Sequence, residues 1–241
     1  MQAVILAAGR GVRLKPITDE IPKCMAGIKD RPILEHIMEH LIDAGVNEIN
    51  LVVGYKREII EEHFGDEFYG TKLNYFVQQE PKGTAHALSL VEDNIKDMFI
   101  LANSDVIVGK KNYSKIMESD EFEKADAVML ARKVEDPWRF GVLETNDKRQ
   151  VTNIIEKPKP GEEPGNLVST GIFRFKQDFF ECVNETPISV RNEYELIDSL
   201  KNYMQKGKIV EYRFCEGTCI DIEGKEDLRK ANEMDLEVFP K

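Results

Sequence analysis

A glycine-containing segment near the N-terminus carries the residue types that bind an anion. Gly9 and Gly11 directly follow an apolar run, Val4–Ala8, and glycines at such a point let backbone N–H groups approach a negatively charged ligand closely. The segment and its continuation supply four cations: Arg10, Arg13, Lys15 and Lys23. No acidic residue precedes Asp19. These residues predict a loop that binds a phosphate-bearing ligand; the alternative is a surface loop whose charges are solvated.

Two familiar phosphate-binding motifs do not fit this segment. The dinucleotide fingerprint needs a third glycine where this chain has Leu14. The P-loop needs Gly-Lys-Ser/Thr after its glycines, and no such tripeptide follows here. The segment does follow a predicted strand, and the carboxyl ends of strands are where open α/β sheets bind their ligands.

The first half of the chain alternates short apolar runs with helical patterns. Val4–Ala8 is a continuous apolar run, as expected for a central strand of a parallel sheet that is covered on both faces. The other elements predicted in this half are a helix at Pro32–Gly45, a strand at Ile49–Val53, a helix at Arg57–Phe64, a strand at Leu73–Val77, a helix at Thr84–Asn94 and a strand at Met98–Ala102. This alternation predicts an α/β fold with parallel crossovers and with helices on both faces of the sheet.

The second half of the chain is richer in strands and turns. Strands are predicted at Ala127–Ala131, Gly141–Glu144, Val151–Glu156, Ser169–Phe175, Ile209–Phe214 and Thr218–Ile222. Helices are predicted at Asp178–Val183, at Tyr194–Gln205 and from Lys225 to about Val238. We therefore expect a single domain over residues 1–241, with a mostly parallel half at about 1–110 and a more mixed half at about 111–241.

Composition and charge exclude several classes of protein. The chain has 241 residues, near the upper limit for one hydrophobic core, and a net charge of −11. An acidic protein lacks the broad basic surface that nucleic acid or an anionic membrane requires, so neither partner is expected. No apolar stretch approaches the roughly 20 residues of a membrane-spanning helix, and the N-terminus has no signal-peptide pattern. The four cysteines lack paired CxxC spacing, which favours reduced thiols and a cytoplasmic protein.

One motif points to different chemistry. The segment from His36 to His40, with Glu39 inside it, matches the H-x-x-E-H pattern of a group of zinc peptidases. At about 100° per residue, both histidines lie opposite the apolar stripe of the predicted helix, so we expect them to face solvent. No third metal ligand is evident in the sequence, and a zinc peptidase is therefore not the preferred interpretation.

The anion-binding loop is part of a longer motif. Its sequence is Leu6-Ala7-Ala8-Gly9-Arg10-Gly11-Val12-Arg13-Leu14-Lys15-Pro16-Ile17-Thr18, followed by Pro22-Lys23. This resembles the signature of the sugar-1-phosphate nucleotidylyltransferases, L-A-A-G-x-G-x-R-L-x-P-x-T…P-K. Taken as a whole, the chain is most similar to the glucose-1-phosphate thymidylyltransferase and uridylyltransferase branch of this family. Further segments that resemble the family follow in order: Gln78–Ala85, Asn103-Ser104-Asp105, Phe140-Gly141-Val142, Glu156-Lys157-Pro158, Thr170-Gly171, Tyr194–Asp198 and Cys219–Ile222.

The resemblance implies a fold and a reaction. The fold is the Rossmann-like nucleotidyltransferase fold, with the first half of the chain binding the nucleotide and the second half binding the sugar. The reaction joins a nucleoside triphosphate, here dTTP or UTP, to a sugar 1-phosphate, here glucose 1-phosphate, and releases pyrophosphate. The nucleophile is a phosphate oxygen that is already ionised, so catalysis needs positioning and charge neutralisation rather than a general base.

The resemblance also implies a set of site residues. Arg13 would contact the β- and γ-phosphates, and Lys23 would contact the α-phosphate and the phosphate of the sugar. Asp105, the third catalytic residue, would hold a Mg²⁺ ion together with Asp221, since carboxylate oxygens suit this ion. The nucleotide is expected at Leu6, Ala8, Gly9, Gly11, Gln78, Gly83 and Thr84, and the sugar phosphate at Gly141, Glu156, Lys157 and Thr170.

The expected preference for a pyrimidine nucleotide depends on Gln78. Its side-chain amide can donate and accept at once, which matches the adjacent carbonyl and N–H groups of uracil and thymine. Gly83 would bring backbone groups within reach of the same base. A GTP-dependent mannose-1-phosphate guanylyltransferase or an alcohol-phosphate cytidylyltransferase would share the first loop, and a catalytically silent nucleotide-sensing subunit is the alternative from another class.

The C-terminal part of the chain departs from some relatives. The second metal segment has Cys219-Ile220-Asp221 where the family typically has Trp-Leu-Asp. Because the chain ends soon after this segment, we expect no C-terminal β-helix domain and no acetyltransferase activity. Relatives commonly form dimers or tetramers, so a homo-oligomer is a further expectation.

Overall fold

The computed structural model describes residues 1–118 and 124–234 of the chain. Over these residues the strands are β1 (Gln2–Ala7), β2 (Gly27–Ile28), β3 (Arg31–Pro32), β4 (Glu48–Val53), β5 (Glu67–Phe68), β6 (Thr71–Val77), β7 (Phe99–Asn103), β8 (Val106–Val108), β9 (Ala127–Lys133), β10 (Gly141–Thr145), β11 (Val151–Glu156), β12 (Leu167–Phe175), β13 (Val210–Phe214) and β14 (Cys219–Asp221). The helices are α1 (Ile17–Glu20), α2 (Ile33–Asp43), α3 (Arg57–Phe64), α4 (Thr84–Ser89), α5 (Lys110–Met117), α6 (Phe179–Asn184), α7 (Leu196–Gln205) and α8 (Lys225–Glu233). Within these described ranges, no helix has both the length and the apolar character needed to cross a membrane.

The predicted elements occur in the predicted order, with differences at a few places. The helix expected at Thr84–Asn94 is interrupted, because α4 ends at Ser89 and a separate 3-10 turn follows at Glu92–Asn94. Helix α8 ends at Glu233, and the rest of its predicted range, from residue 235, lies outside the described residues. The short elements α1, β2, β3, β5 and β8 and the helix α5 are missing from the prediction. β8 has only three residues, and its strand character depends on pairing with the distant β14.

A ten-stranded sheet forms the centre of the described part of the molecule. Its main order is β11-β10-β12-β7-β1-β4-β6-β5, and β9 joins it by pairing with β12 and β13. The central pairs β7·β1, β1·β4 and β4·β6 are parallel. β12 is antiparallel to β7 and connects the parallel half to the strands of the second half. The predicted α/β class, with a mixed sheet that is parallel at its centre, is confirmed.

Helices cover both faces of this sheet, as the sequence predicts. Alternate residues of β1 enter two different cores: Ile5 lies in one and Val4 in the other. The first core includes side chains of α2 and α5, and the second includes side chains of α6 and α7. Because both faces are covered, a ligand can reach the sheet only near the ends of its strands.

The two histidines of the H-x-x-E-H motif are buried, so the prediction that they face solvent is wrong. His36 and His40 are each 7% exposed. The Nε2 atom of His36 lies 3.0 Å from the carbonyl oxygen of Ile28, and the Nδ1 atom of His40 lies 2.6 Å from that of Val108. Each of these nitrogens donates to its carbonyl, since a carbonyl oxygen can only accept. The apolar pattern of α2 does not reveal that β2 and β8 cover the side of the helix opposite its apolar stripe. The two histidines connect the helix to these strands by hydrogen bonds.

Asp178 links three segments of the second half. Its carboxylate accepts a hydrogen bond from the hydroxyl of Tyr203 at 2.7 Å and another from the ammonium group of Lys208. Burial favours a raised pKa for Asp178, but these two hydrogen bonds outweigh it and hold the pKa below its ordinary value. Folding therefore favours the ionised form of this carboxyl group.

Replacing Asp178 with asparagine should lower the thermal midpoint at pH 7 by about 2–4 °C, because the partly exposed, charged hydrogen bonds contribute about 1 kcal/mol. A carboxylate with a depressed folded pKa stabilises the protein above its unfolded pKa, about 3.9, and loses this effect as the pH falls through the folded value. The difference between the two proteins should therefore shrink below about pH 4. Melting curves at pH 7 and pH 3 measure it, with the exposed Asp147→Asn as control. An equal difference at both pH values would contradict the role of the charge.

Candidate active site

Adjoining cavities open at the carboxyl ends of the central strands. The first, here called the N-side cavity, lies between the glycine loop, the end of β6 and the start of α4. The second, the C-side cavity, lies between the ends of β7, β11 and β14 and the middle of β12. These two cavities share Thr84, Asn103 and Asp105 in their walls. A third, the mouth cavity, shares Arg139, Lys157 and Glu223 with the C-side cavity.

The structure brings the predicted site residues together in these cavities. The N-side cavity is lined by Leu6, Ala8, Gly9, Lys23, Gln78, Gly83 and Thr84. The C-side cavity is lined by Asp105, Gly141, Glu156, Lys157, Thr170 and Asp221. Arg13 lines the mouth cavity, whereas Gly11 lines none of the three. The roles of these residues towards a ligand stay predictions.

Gly11 allows Lys23 to pack closely against the loop. Its backbone is left-handed, with φ at 59°, and a Cβ at this position would come within 2.6 Å of the Cβ of Lys23. The hydroxyl of Thr18 donates to the carbonyl oxygen of Gly11 at 2.9 Å and holds the turn in place. Any side chain at residue 11 would displace Lys23, so this glycine lets the lysine pack against the loop.

The four loop cations divide into two pairs. Arg13 and Lys23 reach the cavities described above. Arg10 is exposed, and Lys15 forms an exposed ion pair with Asp19 at 2.9 Å. Two of the four side chains therefore line a cavity, the other two lie on the outer surface of the loop, and binding of an anion by the loop stays a prediction.

Lys23 and Asp105 form an ion pair where the N-side and C-side cavities meet. The Nζ atom of Lys23 lies 2.5 Å from the Oδ2 atom of Asp105, and the two side chains are 17% and 29% exposed. Asp105 lies in the turn between β7 and β8, and Lys23 begins a 3-10 turn after the glycine loop. The fold thus holds a cation against a carboxylate at a point that two ligands could reach from opposite sides.

Asp221 lies beside Asp105 because β14 pairs with β8. Asp221 is opposite Val106 in this antiparallel pair, and the N–H of Ile222 donates to the carbonyl oxygen of Asp105 at 2.8 Å. Burial, together with the nearby Asp105 carboxylate, raises the pKa of Asp221 to about 7. Two adjacent carboxylates repel each other, and a cation bound between them would favour the ionised form of both.

This pair of carboxylates fits a hard divalent cation. No cluster of three or more His, Cys, Asp or Glu side chains in the described part of the chain has the geometry of a metal site. Mg²⁺ is commonly held by one or two carboxylates, with water and substrate phosphates completing its coordination, so two carboxylates beside a phosphate site suffice. Burial and the neighbouring Asp105 carboxylate both disfavour ionisation of Asp221, and a bound cation would favour it.

Glu156 and Lys157 form one wall of the C-side cavity. Burial raises the pKa of Glu156, and a carboxylate oxygen of this residue lies 3.8 Å from the guanidinium of Arg191. Gly141 pairs with Glu156 across β10 and β11, and a Cβ at Gly141 would come within 3.1 Å of the Oε2 atom of Glu156. The glycine therefore leaves room for this carboxylate in the wall. Lys157 follows with φ at 47°, which turns the chain out of the strand.

Thr170 and Thr84, which are predicted to contact a ligand, already form hydrogen bonds to the backbone through their hydroxyl groups. The hydroxyl of Thr170 donates to the carbonyl oxygen of Leu130 at 3.1 Å. The hydroxyl of Thr84 accepts from the N–H of Leu196 at 2.9 Å. Thr84 can therefore still donate to a ligand, whereas the proton of Thr170 is engaged and its oxygen can only accept.

Four charged residues that line the cavities within the described ranges are missing from the sequence-based prediction: Arg139, Glu193, Glu223 and Asp227. Glu223 forms ion pairs with Arg13 at 2.8 Å and with Arg139 at 2.6 Å. Burial opposes ionisation of Glu223, but the hydrogen bond from Arg139 and the charge of Arg13 lower its pKa overall. Arg139 directly precedes the Phe140-Gly141-Val142 segment, and Glu223 directly follows the Cys219–Ile222 segment. Their position next to segments that resemble the family could have marked them as candidate site residues.

Gln78 is buried in the wall of the N-side cavity, where it is 7% exposed. Its Nε2 atom donates to the carbonyl oxygen of Gly83 at 3.0 Å and lies 3.0 Å from the Nδ1 atom of His86. Gly83 precedes α4 with φ at 104°, and a Cβ there would lie 2.4 Å from the carbonyl oxygen of Tyr194. Only glycine fits this position, and its carbonyl fixes one end of the Gln78 amide.

The chain is similar along nearly its whole length to known proteins. A family model described as nucleotidyl transferase matches residues 2–237. The UTP–glucose-1-phosphate uridylyltransferase AglF of Haloferax volcanii is 38% identical over 235 residues, covering 97% of this chain and 96% of that protein. The bifunctional protein GlmU of Methanococcus maripaludis is 39% identical over 209 residues, covering 87% of this chain. The chain spans about half of the GlmU length, 48%.

A solved structure shows the same fold. A Bacillus anthracis protein, provisionally described as a glucose-1-phosphate thymidylyltransferase and solved in complex with sucrose, superposes with a TM-score of 0.90 at 28% sequence identity. The match covers 100% of this chain and 98% of that chain. The predicted Rossmann-like nucleotidyltransferase fold is thereby confirmed.

Proposed function

The chain belongs to the nucleotidyl transferase family, and from this premise we propose that it transfers the nucleotidyl group of UTP or dTTP to glucose 1-phosphate. The observation that carries the proposal is the common wall of the N-side and C-side cavities, where Lys23 meets Asp105. A nucleotide in one cavity and a sugar phosphate in the other would bring both phosphates against these two side chains. The choice of substrates is supported by the descriptions of AglF and of the Bacillus anthracis protein.

The reaction requires two anions to approach each other. Unit charges 4 Å apart repel by about 4 kcal/mol at an effective dielectric constant of 20. Lys23 at the common wall and Lys157 in the C-side cavity would offset this repulsion. An ionised oxygen of the sugar phosphate then attacks the α-phosphorus in line with the leaving pyrophosphate, which Arg13 would bind from the mouth cavity.

We propose Mg²⁺ as the cofactor, held by Asp105 and Asp221, where it would supply further positive charge to the phosphates. The ion pair with Lys23 holds the Asp105 carboxylate at the common wall. β14 holds Asp221 beside it through the hydrogen bond from the Ile222 N–H to the Asp105 carbonyl oxygen. The chain's own contacts therefore fix the spacing of both carboxylates before any ligand binds.

Pyrophosphate release with Mg²⁺ tests the proposed function, over a matrix of ATP, CTP, GTP, UTP and dTTP against several sugar 1-phosphates. Release with UTP or dTTP and glucose 1-phosphate is the expected result. Release only with GTP and mannose 1-phosphate, or with CTP and an alcohol phosphate, would assign one of the alternatives instead. No release from protein that still binds a nucleotide would favour the sensing subunit. The cytoplasmic location and a homo-oligomeric state stay predictions from the sequence.

Replacing Gln78 with alanine should lower kcat/KM for UTP and dTTP about 10- to 100-fold, because truncation removes a buried hydrogen-bonding partner of the base. The values for ATP, CTP and GTP should change much less. Initial rates of pyrophosphate release at fixed glucose 1-phosphate measure the effect for each nucleotide. The exposed Gln205→Ala serves as the matched control. An equal loss with all five nucleotides would contradict base recognition by Gln78.

A further inference from the structure

The orientation of the Gln78 amide is determined by its neighbours. One end of the amide lies 3.0 Å from the carbonyl oxygen of Gly83, and this oxygen can only accept a hydrogen bond. The NH₂ end must therefore face Gly83, because the opposite orientation would place two acceptors against each other. The same NH₂ group lies 3.0 Å from the Nδ1 atom of His86. Both of its protons are then directed at protein atoms.

His86 can accept this hydrogen bond only in one form. A protonated imidazole carries a hydrogen on each ring nitrogen, so Nδ1 accepts only when the ring is neutral and its proton is on Nε2. Partial burial, together with the positive charge of Lys82, lowers the pKa of His86 and so favours the neutral ring. The Tyr194 ring stacks beside it, with centroids 6.4 Å apart and an angle of 29° between the planes. The ring is thus held where its lone pair meets Gln78.

Gln78 therefore presents an acceptor to the N-side cavity. No hydrogen bond to its Oε1 atom is found among the described residues, and Gln78 lines the cavity. This differs from the sequence-based expectation that the amide donates and accepts towards the base at the same time. A base that meets Oε1 must supply an N–H group. Uracil and thymine carry a hydrogen on N3 and can donate it, whereas N3 of cytosine is unprotonated and can only accept.

We propose that His86 is a positioning residue that selects uracil or thymine over cytosine by locking the Gln78 amide with its oxygen towards the base. The inference rests on the proposed function, since it concerns the nucleotide of that reaction. Uracil and cytosine have almost the same size and shape, so the cavity cannot separate them by volume. A fixed acceptor separates them because it would face the N3 lone pair of cytosine and leave a buried group without a partner.

Two variants of His86 test the roles of its acceptor nitrogen and of its aromatic ring separately. His86→Phe keeps a ring beside Tyr194 but removes the acceptor, which frees one N–H of Gln78 to turn towards the base. His86→Asn removes the ring but places an amide oxygen near the former position of Nδ1. The kcat/KM ratio of UTP to CTP should fall about tenfold in His86→Phe, as expected for the loss of one hydrogen bond, and stay within about threefold of the parent value in His86→Asn.

The full chain is assayed with both nucleotides at fixed glucose 1-phosphate, and the dissociation constants of UDP and CDP are measured by calorimetry. The change should appear in KM and in UDP affinity, with kcat for UTP largely retained, because His86 does not contact the reacting phosphates. His63→Phe, at an exposed histidine on α3, is the matched control. If His86→Phe does not fold, His86→Leu, which also lacks an acceptor, replaces it.

Two results would overturn the role of His86: an unchanged UTP to CTP ratio in His86→Phe, or an equal fall in His86→Asn and His86→Phe. If Gln78→Ala still loses its selectivity for UTP and dTTP, either result would support the proposed function and remove only the role of His86. A parent enzyme that uses CTP as well as UTP would instead remove the pyrimidine preference itself. The two failures are therefore distinguishable.

Discussion

Asp105→Asn is expected to lower kcat by about 10²- to 10³-fold, the scale seen when a catalytic electrostatic contact is removed. Asp105 is the carboxylate that the N-side and C-side cavities share, and it lies against Lys23. The amide has nearly the same shape but carries no charge, so it would weaken the proposed Mg²⁺ site and leave Lys23 without its ionic partner. Pyrophosphate release at saturating UTP and glucose 1-phosphate measures the loss.

The fold should survive this change. Removing the Asp105 charge relieves its repulsion of Asp221, and this gain opposes the loss of the Lys23 ion pair. The thermal midpoint should therefore move by only a few degrees, and UDP should still bind. The exposed Asp147→Asn controls for removal of one carboxylate elsewhere. Near-normal turnover in Asp105→Asn would show that this residue is not a metal ligand, and an unfolded variant would show that its role is structural.

Gly83→Ala should destabilise the protein by about 3 kcal/mol or more, since it combines backbone strain with an overpacked contact. The added Cβ would lie 2.4 Å from the carbonyl oxygen and 2.7 Å from the nitrogen of Tyr194, and these backbone atoms cannot rotate away. Tyr194 N–H donates to the Lys82 carbonyl oxygen, and Ala85 N–H donates to that of Tyr194, so a shift of Tyr194 breaks the link between α4 and the segment before α7. Gln78 would lose its anchor at the same time.

The expected fall in thermal midpoint for Gly83→Ala is about 6–12 °C, with a weaker affinity for UDP. Gly45→Ala is the matched control, because Gly45 has φ at 97° but no atom within 4 Å of the position that the alanine methyl group would take. That variant carries the backbone strain alone and should lose about 1 kcal/mol. Equal losses in the two variants would show that the contact with Tyr194 contributes nothing.

The sequence was informative about the site where its residues are neighbours along the chain. The loop from Leu6 to Lys23 predicts an anion site by its glycines and cations, and the structure places Lys23 and Arg13 at cavities. The ion pairs of Glu223 with Arg13 and Arg139 could not be found in this way, because both partners are far from it in the sequence and close in space. The buried histidines of α2 were misjudged for the same reason.

The sequence alone determined the order of strands and helices, the α/β class and the motif residues, because these depend on local apolar patterns and on glycines at fixed spacing. The tertiary structure alone decided which of these residues meet. The pairing of β14 with β8 brings Asp221 to Asp105, and the carbonyl of Gly83 and the ring of His86 orient Gln78. The physical reason is that burial, charge pairing and the direction of a hydrogen bond depend on distances between atoms, and a sequence pattern does not contain the distances between its distant parts.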